Sequence, residues 1–327
     1  MRLALLLLLL AGSASAQAVR IKLGTLAPQG STWHQFMQQM AADFSKASAG
    51  KVELKIYAGG TQGNEGEMVR KMSIGQLHAA SITAIGLHEI TPEPQVEDMP
   101  FLIDSYEEYD WLHEKLRGRL EEALSKKNYI ALQWGEVGFV YLFSTEAYRT
   151  PADFVKAKVF TWNGDPGAEQ AWKAAGFHPV VLSSTDLLPS LSSRMVNVVG
   201  ESPLYAYTTH LFERANHMLD LHWGFLTGAT VVRKDVWEKV PPDLRPKVLE
   251  IAEDYGKRTR ADVRKQNEEA IEQMKKRGLQ VIEPADLEAW QQAAERANAV
   301  VRGRVVPAAL FDEVVKLRND YRAQHRR

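Results

Sequence analysis

Polar and apolar residues alternate from 19 to 23 as Val-Arg-Ile-Lys-Leu, the period-two pattern of a half-buried strand. A Gly/Pro loop follows, after which Trp33, Phe36, Met37, Met40 and Phe44 fall at helical spacing. Ser31 is placed to cap that helix and Gly50 to end it. Residues 52–57 alternate again, a glycine-rich loop occupies 58–63, a helix runs over 65–74 up to Gly75, and an apolar strand covers 79–83. This βαβαβ opening predicts an open α/β sheet, with ligands favoured at the loops that leave the strands.

Further along, two aromatic-rich strands are expected at 129–134 and 139–143, either side of Gly135-Glu136-Val137-Gly138. Strands at 155–162 and 196–200 flank a helix at 165–175, and the chain beyond residue 241 is charged, amphipathic and helical over 243–277, 285–299 and 307–323. There is no internal repeat and no low-complexity linker. The pattern predicts an α/β chain in two hinge-linked lobes of mixed sheet, joined by crossover segments, with a helical C-terminal region. The lobes are expected at 17–137 plus about 225–267 and at 138–224 plus about 268–300, with a last helix over 301–327. Such a protein holds a ligand in its cleft and closes on it.

The N-terminus adds an address. Met1-Arg2, an apolar run from Leu3 to Ala11 and the small residues Ala14-Ser15-Ala16 make a signal peptide with cleavage expected before Gln17. As a helix the apolar run reaches only about 14 Å, too short for a bilayer core of roughly 30 Å. The expected location is therefore periplasmic. With no cysteine, the chain has no disulfide, thiol nucleophile or thiolate metal site. The net charge of −1 argues against nucleic acid as a partner.

Several stretches, in order, resemble the solute receptors of TRAP (tripartite ATP-independent periplasmic) uptake systems. They are Ile21-Lys22-Leu23-Gly24 with Gly30-Ser31, residues 51–57 before the glycine loop, Asp98-Met99-Pro100-Phe101-Leu102-Ile103, Thr150-Pro151-Ala152-Asp153 leading to Val159, and Gly200-Glu201-Ser202-Pro203-Leu204. The resemblance implies a non-enzymatic receptor that hands its solute to a membrane permease of two unlike subunits. Some relatives with apolar ligands also work with a periplasmic helical-repeat protein. In acid-binding relatives an arginine after the strand corresponding to 155–159 grips the ligand carboxylate, a task suited to the planar guanidinium fork. Here that position holds Phe160, followed by Thr161 and Trp162, and Gly138-Phe139-Val140-Tyr141 lacks a second arginine.

The expected ligand is therefore neutral or hydrophobic. Its candidate walls are Leu26, Phe139, Tyr141, Phe160, Trp162, Tyr205, Trp223 and Phe225, with Thr83, Asn163, Glu201 and Ser202 as polar contacts. Two other readings are a sensor reporting to a signalling receptor and an acid receptor with a different cationic anchor. Catalysis, cofactors and metals have little footing. The histidines lack metal spacing, no G-x-S-x-G or G-K-[ST] motif is present, and Ser183-Ser184-Thr185-Asp186 reads as a helix cap.

Overall fold

The computed structural model describes residues 18–163 and 165–325, so the expected signal peptide lies outside it. The chain opens as its periodicity predicts, with β1 (Val19–Thr25), α1 (Thr32–Ala47), β2 (Val52–Tyr57), α2 (Glu65–Ser73) and β3 (Ala79–Thr83). Local chemistry sets the boundaries. The Ser31 hydroxyl accepts from the His34 amide at α1, and Asn64 and Glu67 form a reciprocal capping box at α2. β1 pairs in parallel with β2 on one side and β3 on the other. Short α3 (Ala84–His88) and long α4 (Tyr106–Lys126), capped by Ser105, complete this part of the chain.

β4 (Tyr129–Ser144) corrects the sequence reading, because the two strands expected around residues 135–138 are one. Gly138 adopts a left-handed φ of 107°, and the register against the neighbouring strand shifts between Glu136 and Gly138. The resulting bulge re-aims the strand without ending it. Then follow β5 (Lys158–Trp162), α5 (Pro166–Ala175), β6 (His178–Leu182), α6 (Leu187–Ser192), β7 (Val198–Glu201) and α7 (Pro203–Thr208).

β8 (His217–Arg233) was not expected, because Gly224 and Gly228 interrupt its apolar pattern. Those glycines mark close backbone approaches. A Cβ on Gly228 would sit 2.6 Å from the Ile82 carbonyl oxygen, and one on Gly224 would sit 3.2 Å from that of Asp98. The chain ends with α8 (Lys234–Trp237), the 32-residue α9 (Arg245–Lys276), β9 (Gln280–Ile282), α10 (Leu287–Val301) and α11 (Ala308–His325).

The strand order is β2-β1-β3-β8-β4-β7-β5-β6, with β9 also on β8. Long β4 and β8 pair antiparallel along most of their lengths and carry the sheet from the β1–β3 lobe into the β5–β7 lobe. A smaller core under the first lobe includes Ile21, Phe44, Val52 and Tyr255, while the larger core runs beneath both and includes Trp290, fully buried in α10. Among the described residues, no helix is long and apolar enough to cross a membrane.

α9 is fastened to the crossover by one buried amide. Asn267 donates to the Val137 carbonyl (3.0 Å) at the bulge and accepts from the Leu204 amide (2.8 Å) at the start of α7. Asn267→Ala orphans the buried Leu204 amide and the part-buried Val137 carbonyl and is expected to lower stability by about 2–3 kcal/mol, read by urea unfolding. A loss below about 0.5 kcal/mol would mean that water replaces both bonds.

Candidate ligand-binding site

The C-terminal ends of β1, β3, β5 and β7 converge on a cleft between the lobes, where open α/β sheets place ligands. From the first lobe come Leu26 and Thr83 and, on α1, Trp33, Phe36, Met37 and Met40. The crossover strands supply Gln133, Glu136, Leu226 and Gly228, and α9 supplies Tyr255 and Thr259. From the second lobe come Trp162, Asn163, Ser184, Glu201 and Tyr205. Of the twelve residues singled out from sequence, this brings together Leu26, Thr83, Trp162, Asn163, Glu201 and Tyr205.

The structure puts the other six elsewhere. Phe160 is 3% exposed and lies edge-on against Trp162, with ring centroids 5.0 Å apart. Trp223 stacks on Trp172 at 4.9 Å, and Phe225 packs on Tyr109 at 4.3 Å, both in the core. Ser202 is fully buried as the N-cap of α7, its hydroxyl accepting from the Tyr205 amide. Phe139 and Tyr141 follow the β4 bulge and border a separate cavity, where Phe139 stacks on His222 and the Tyr141 hydroxyl pairs with His222 Nε2 at 2.7 Å. Their displacement has a backbone cause, since a bulge changes which way the following side chains point.

Ser183-Ser184-Thr185-Asp186 also departs from expectation. Neither Ser183 nor Asp186 makes a side-chain cap bond, and the Ser184 hydroxyl is buried at the cleft without a partner among the described residues. The α1 wall was missed because its residues have the spacing of an ordinary core stripe. Nothing in sequence distinguishes a stripe facing a cleft from one facing a core.

The electrostatics are one-sided. Among the described residues that line the cleft there is no Lys, Arg or His, yet Glu65, Glu89, Glu136 and Glu201 all do. Glu65, the first residue of α2, is held by three donors: the Thr83 amide (2.9 Å), the Thr83 hydroxyl (2.7 Å) and the Gly86 amide (2.9 Å). Gly86 is required there, because a Cβ would fall 2.7 Å from Glu65 Oε2. Burial raises the Glu65 pKa, and these donors oppose it.

Glu136 is buried at the β4 bulge and gripped by both prongs of Arg264, Nε to Oε1 at 2.7 Å and Nη2 to Oε2 at 2.8 Å. Arg264 also holds Asp110 of α4 and faces the Tyr106 ring. Glu201 at the end of β7 differs. It is 2% exposed, and among the described residues no side chain hydrogen-bonds it. Burial pushes its pKa up to about 8, the Ser202 amide pulls it back and the nearby Glu65 adds to the rise. Burial also raises the Tyr205 hydroxyl, helped by Glu201 and Glu65.

Among the described residues, no group of three or more His, Cys, Asp or Glu converges as a metal site. The cleft offers aromatic and aliphatic walls with carboxyl groups on two sides.

Comparison with known proteins agrees with the architecture. The 2,3-diketo-L-gulonate-binding periplasmic protein of Escherichia coli K12 is 22% identical over 283 residues, covering 86% of each chain. A TRAP periplasmic solute-binding protein of Ralstonia eutropha H16, solved with (S)-2-acetolactate, superposes with a TM-score of 0.85 at 20% identity, covering 92% of this chain and 99% of that one. One from Sulfurospirillum deleyianum, solved with succinate, gives 0.83 at 21% identity, covering 90% and 97%. The family model described as bacterial extracellular solute-binding protein, family 7, matches residues 23–301, and the chain belongs to that family.

Proposed function

We propose that this protein is the periplasmic receptor of a TRAP-type uptake system, and that it captures a small, largely apolar solute carrying no carboxylate. The observation that carries the ligand class is the cleft lining, which among the described residues has aromatic and aliphatic walls, four glutamates and no cation. A buried carboxylate needs a counter-charge, and removing one from water without it costs several kcal/mol. The arginines near the cleft are already engaged. Arg264 is taken by Glu136 and Asp110, while Arg258 pairs with Asp254 and lies over the rings of Phe36 and Tyr255.

Solute binding across the cleft draws Trp33 and Thr83 of one lobe toward Trp162 and Tyr205 of the other. The closed form is favoured by as much as the solute binds it more tightly. That form is then recognised by the membrane permease. No bond is made or broken in the solute.

The test is a thermal-melt and calorimetric panel on protein stripped of bound solute. Succinate, acetolactate and glucuronate are expected to leave the melting temperature unchanged at millimolar concentration, whereas an aromatic or branched aliphatic solute without an acid group raises it. Micromolar binding of any of the three acids would overturn the ligand class and leave the family assignment standing.

A further inference from the structure

We infer that the solute carries an organic cation, a protonated amine or quaternary ammonium head, seated between Glu201 and Glu65 against the rings of Trp33, Trp162 and Tyr205. This rests on the reading of the cleft as the solute site and adds the charge of the solute.

The carboxyl groups of the cleft are unequally supplied with hydrogen-bond donors. Glu65 already accepts three hydrogen bonds from Thr83 and Gly86, an environment that stabilises its ionised form. Glu201 reaches the same cleft from the opposite lobe, 98% shielded from solvent, with no side-chain donor among the described residues. Gln133 repeats the pattern, since its Nε2 donates to Thr230 (2.9 Å) while its Oε1 is buried at the cleft without a donor among the described residues. Glu65 and Glu201 thus line the cleft from opposite lobes with no Lys, Arg or His among its described lining residues. A ligand that supplies positive charge complements these carboxyl groups, whereas one that supplies a further carboxylate adds like charge.

The walls select the kind of cation. Glu89, Glu136 and the two facing glutamates form no converging metal cluster among the described residues, and Glu136 is neutralised by Arg264. The cleft that Glu65 and Glu201 line also has aromatic walls, with Trp33 from α1, Trp162 from the end of β5 and Tyr205 from α7. Ring faces carry partial negative charge and attract a weakly hydrated organic cation, and such cages with a nearby carboxylate favour alkylammonium groups. A bare, strongly hydrated inorganic ion would gain nothing from these walls.

Matched probes test the charge with shape held constant. Benzylammonium, benzyl alcohol and benzoate form one set, and choline with its uncharged isostere 3,3-dimethylbutan-1-ol forms another, each titrated calorimetrically into the stripped mature protein. At least one cation is expected to bind about tenfold or more tightly than its neutral isostere. Glu201→Gln, which keeps the side-chain shape, is expected to weaken the cations more than their neutral isosteres and so to shrink that preference to about twofold. Neutral isosteres binding as well as the cations, or a preference untouched by Glu201→Gln, would overturn the inference and leave the carboxylate-free reading intact. No binding by either cation also overturns it. Tight binding of benzoate would overturn that broader reading as well.

Discussion

Replacing Arg264 with methionine is expected to remove about 3–5 kcal/mol of stability, the largest loss of any single substitution considered, because it strands a buried carboxylate. Glu136 is 4% exposed at the β4 bulge, and both its oxygens are held by Arg264 alone among the described side chains. The same guanidinium holds both oxygens of Asp110 on α4, at 2.6 and 2.8 Å. One residue of α9 thus fixes the bulge and the helix behind it. Burial already raises the Glu136 pKa against the pull of Arg264, so without the arginine the group must take up a proton or open the site. Chemical unfolding of Arg264→Met, Glu136→Gln and the double variant reads the coupling. The double variant is expected to recover much of the loss, since it leaves no unpaired charge. A loss below about 1 kcal/mol in Arg264→Met would show the pair behaving like a solvated surface contact.

The second large effect is a pH dependence of the ligand-free protein. Glu201 has a folded pKa of about 8 against an ordinary 4.5, so between those values the folded chain retains a proton that the unfolded chain has lost. The corresponding stability is fully present below pH 4.5 and is lost as pH rises through about 8. At about 1.4 kcal/mol per unit, the loss across the window is on the order of 5 kcal/mol. Glu65 and Asp98, both also raised by burial, contribute in the same direction and persist in a Glu201 variant. Melting temperatures from pH 5 to pH 8.5 are therefore expected to fall in the wild type and to fall distinctly less in Glu201→Gln. Equal slopes would mean that Glu201 is ionised throughout, contrary to its burial.

Much of the fold was legible because local signals and tertiary demands agree. The apolar run over residues 79–83 corresponds to β3, and Ser31, Asn64 and Asp165 cap helices that begin where the periodicity begins. The signals failed where backbone approach overrides pattern. Gly135 and Gly138 looked like the end of a strand yet sit inside β4, and Gly224 and Gly228 hid β8 although it lies at the centre of the sheet.

The site follows the same division. Trp162 and Glu201, named from the resemblance, stand at the C-terminal ends of β5 and β7, and Tyr205 follows on α7, so all three line the cleft. Phe139 and Tyr141 lie beyond a bulge, and Trp223 and Phe225 share a strand whose apolar face is core. The decisive feature, glutamates without a counter-cation, could not be read from sequence. Glu136 is paired by Arg264 of α9, far along the chain, whereas Glu201 has no side-chain partner among the described residues, and neither outcome is written in the local sequence.

The central claim is that the cleft takes a solute without a carboxylate, and the most direct test is to find what the protein carries. Native mass spectrometry of mature protein purified from its own host, followed by denaturing extraction, yields the mass and then the identity of the bound molecule. The account predicts a small, largely apolar molecule with an amine head and no acid group. A succinate-like or uronate-like acid bound in stoichiometric amount would contradict it, and would require a cation to enter the cleft when the lobes close.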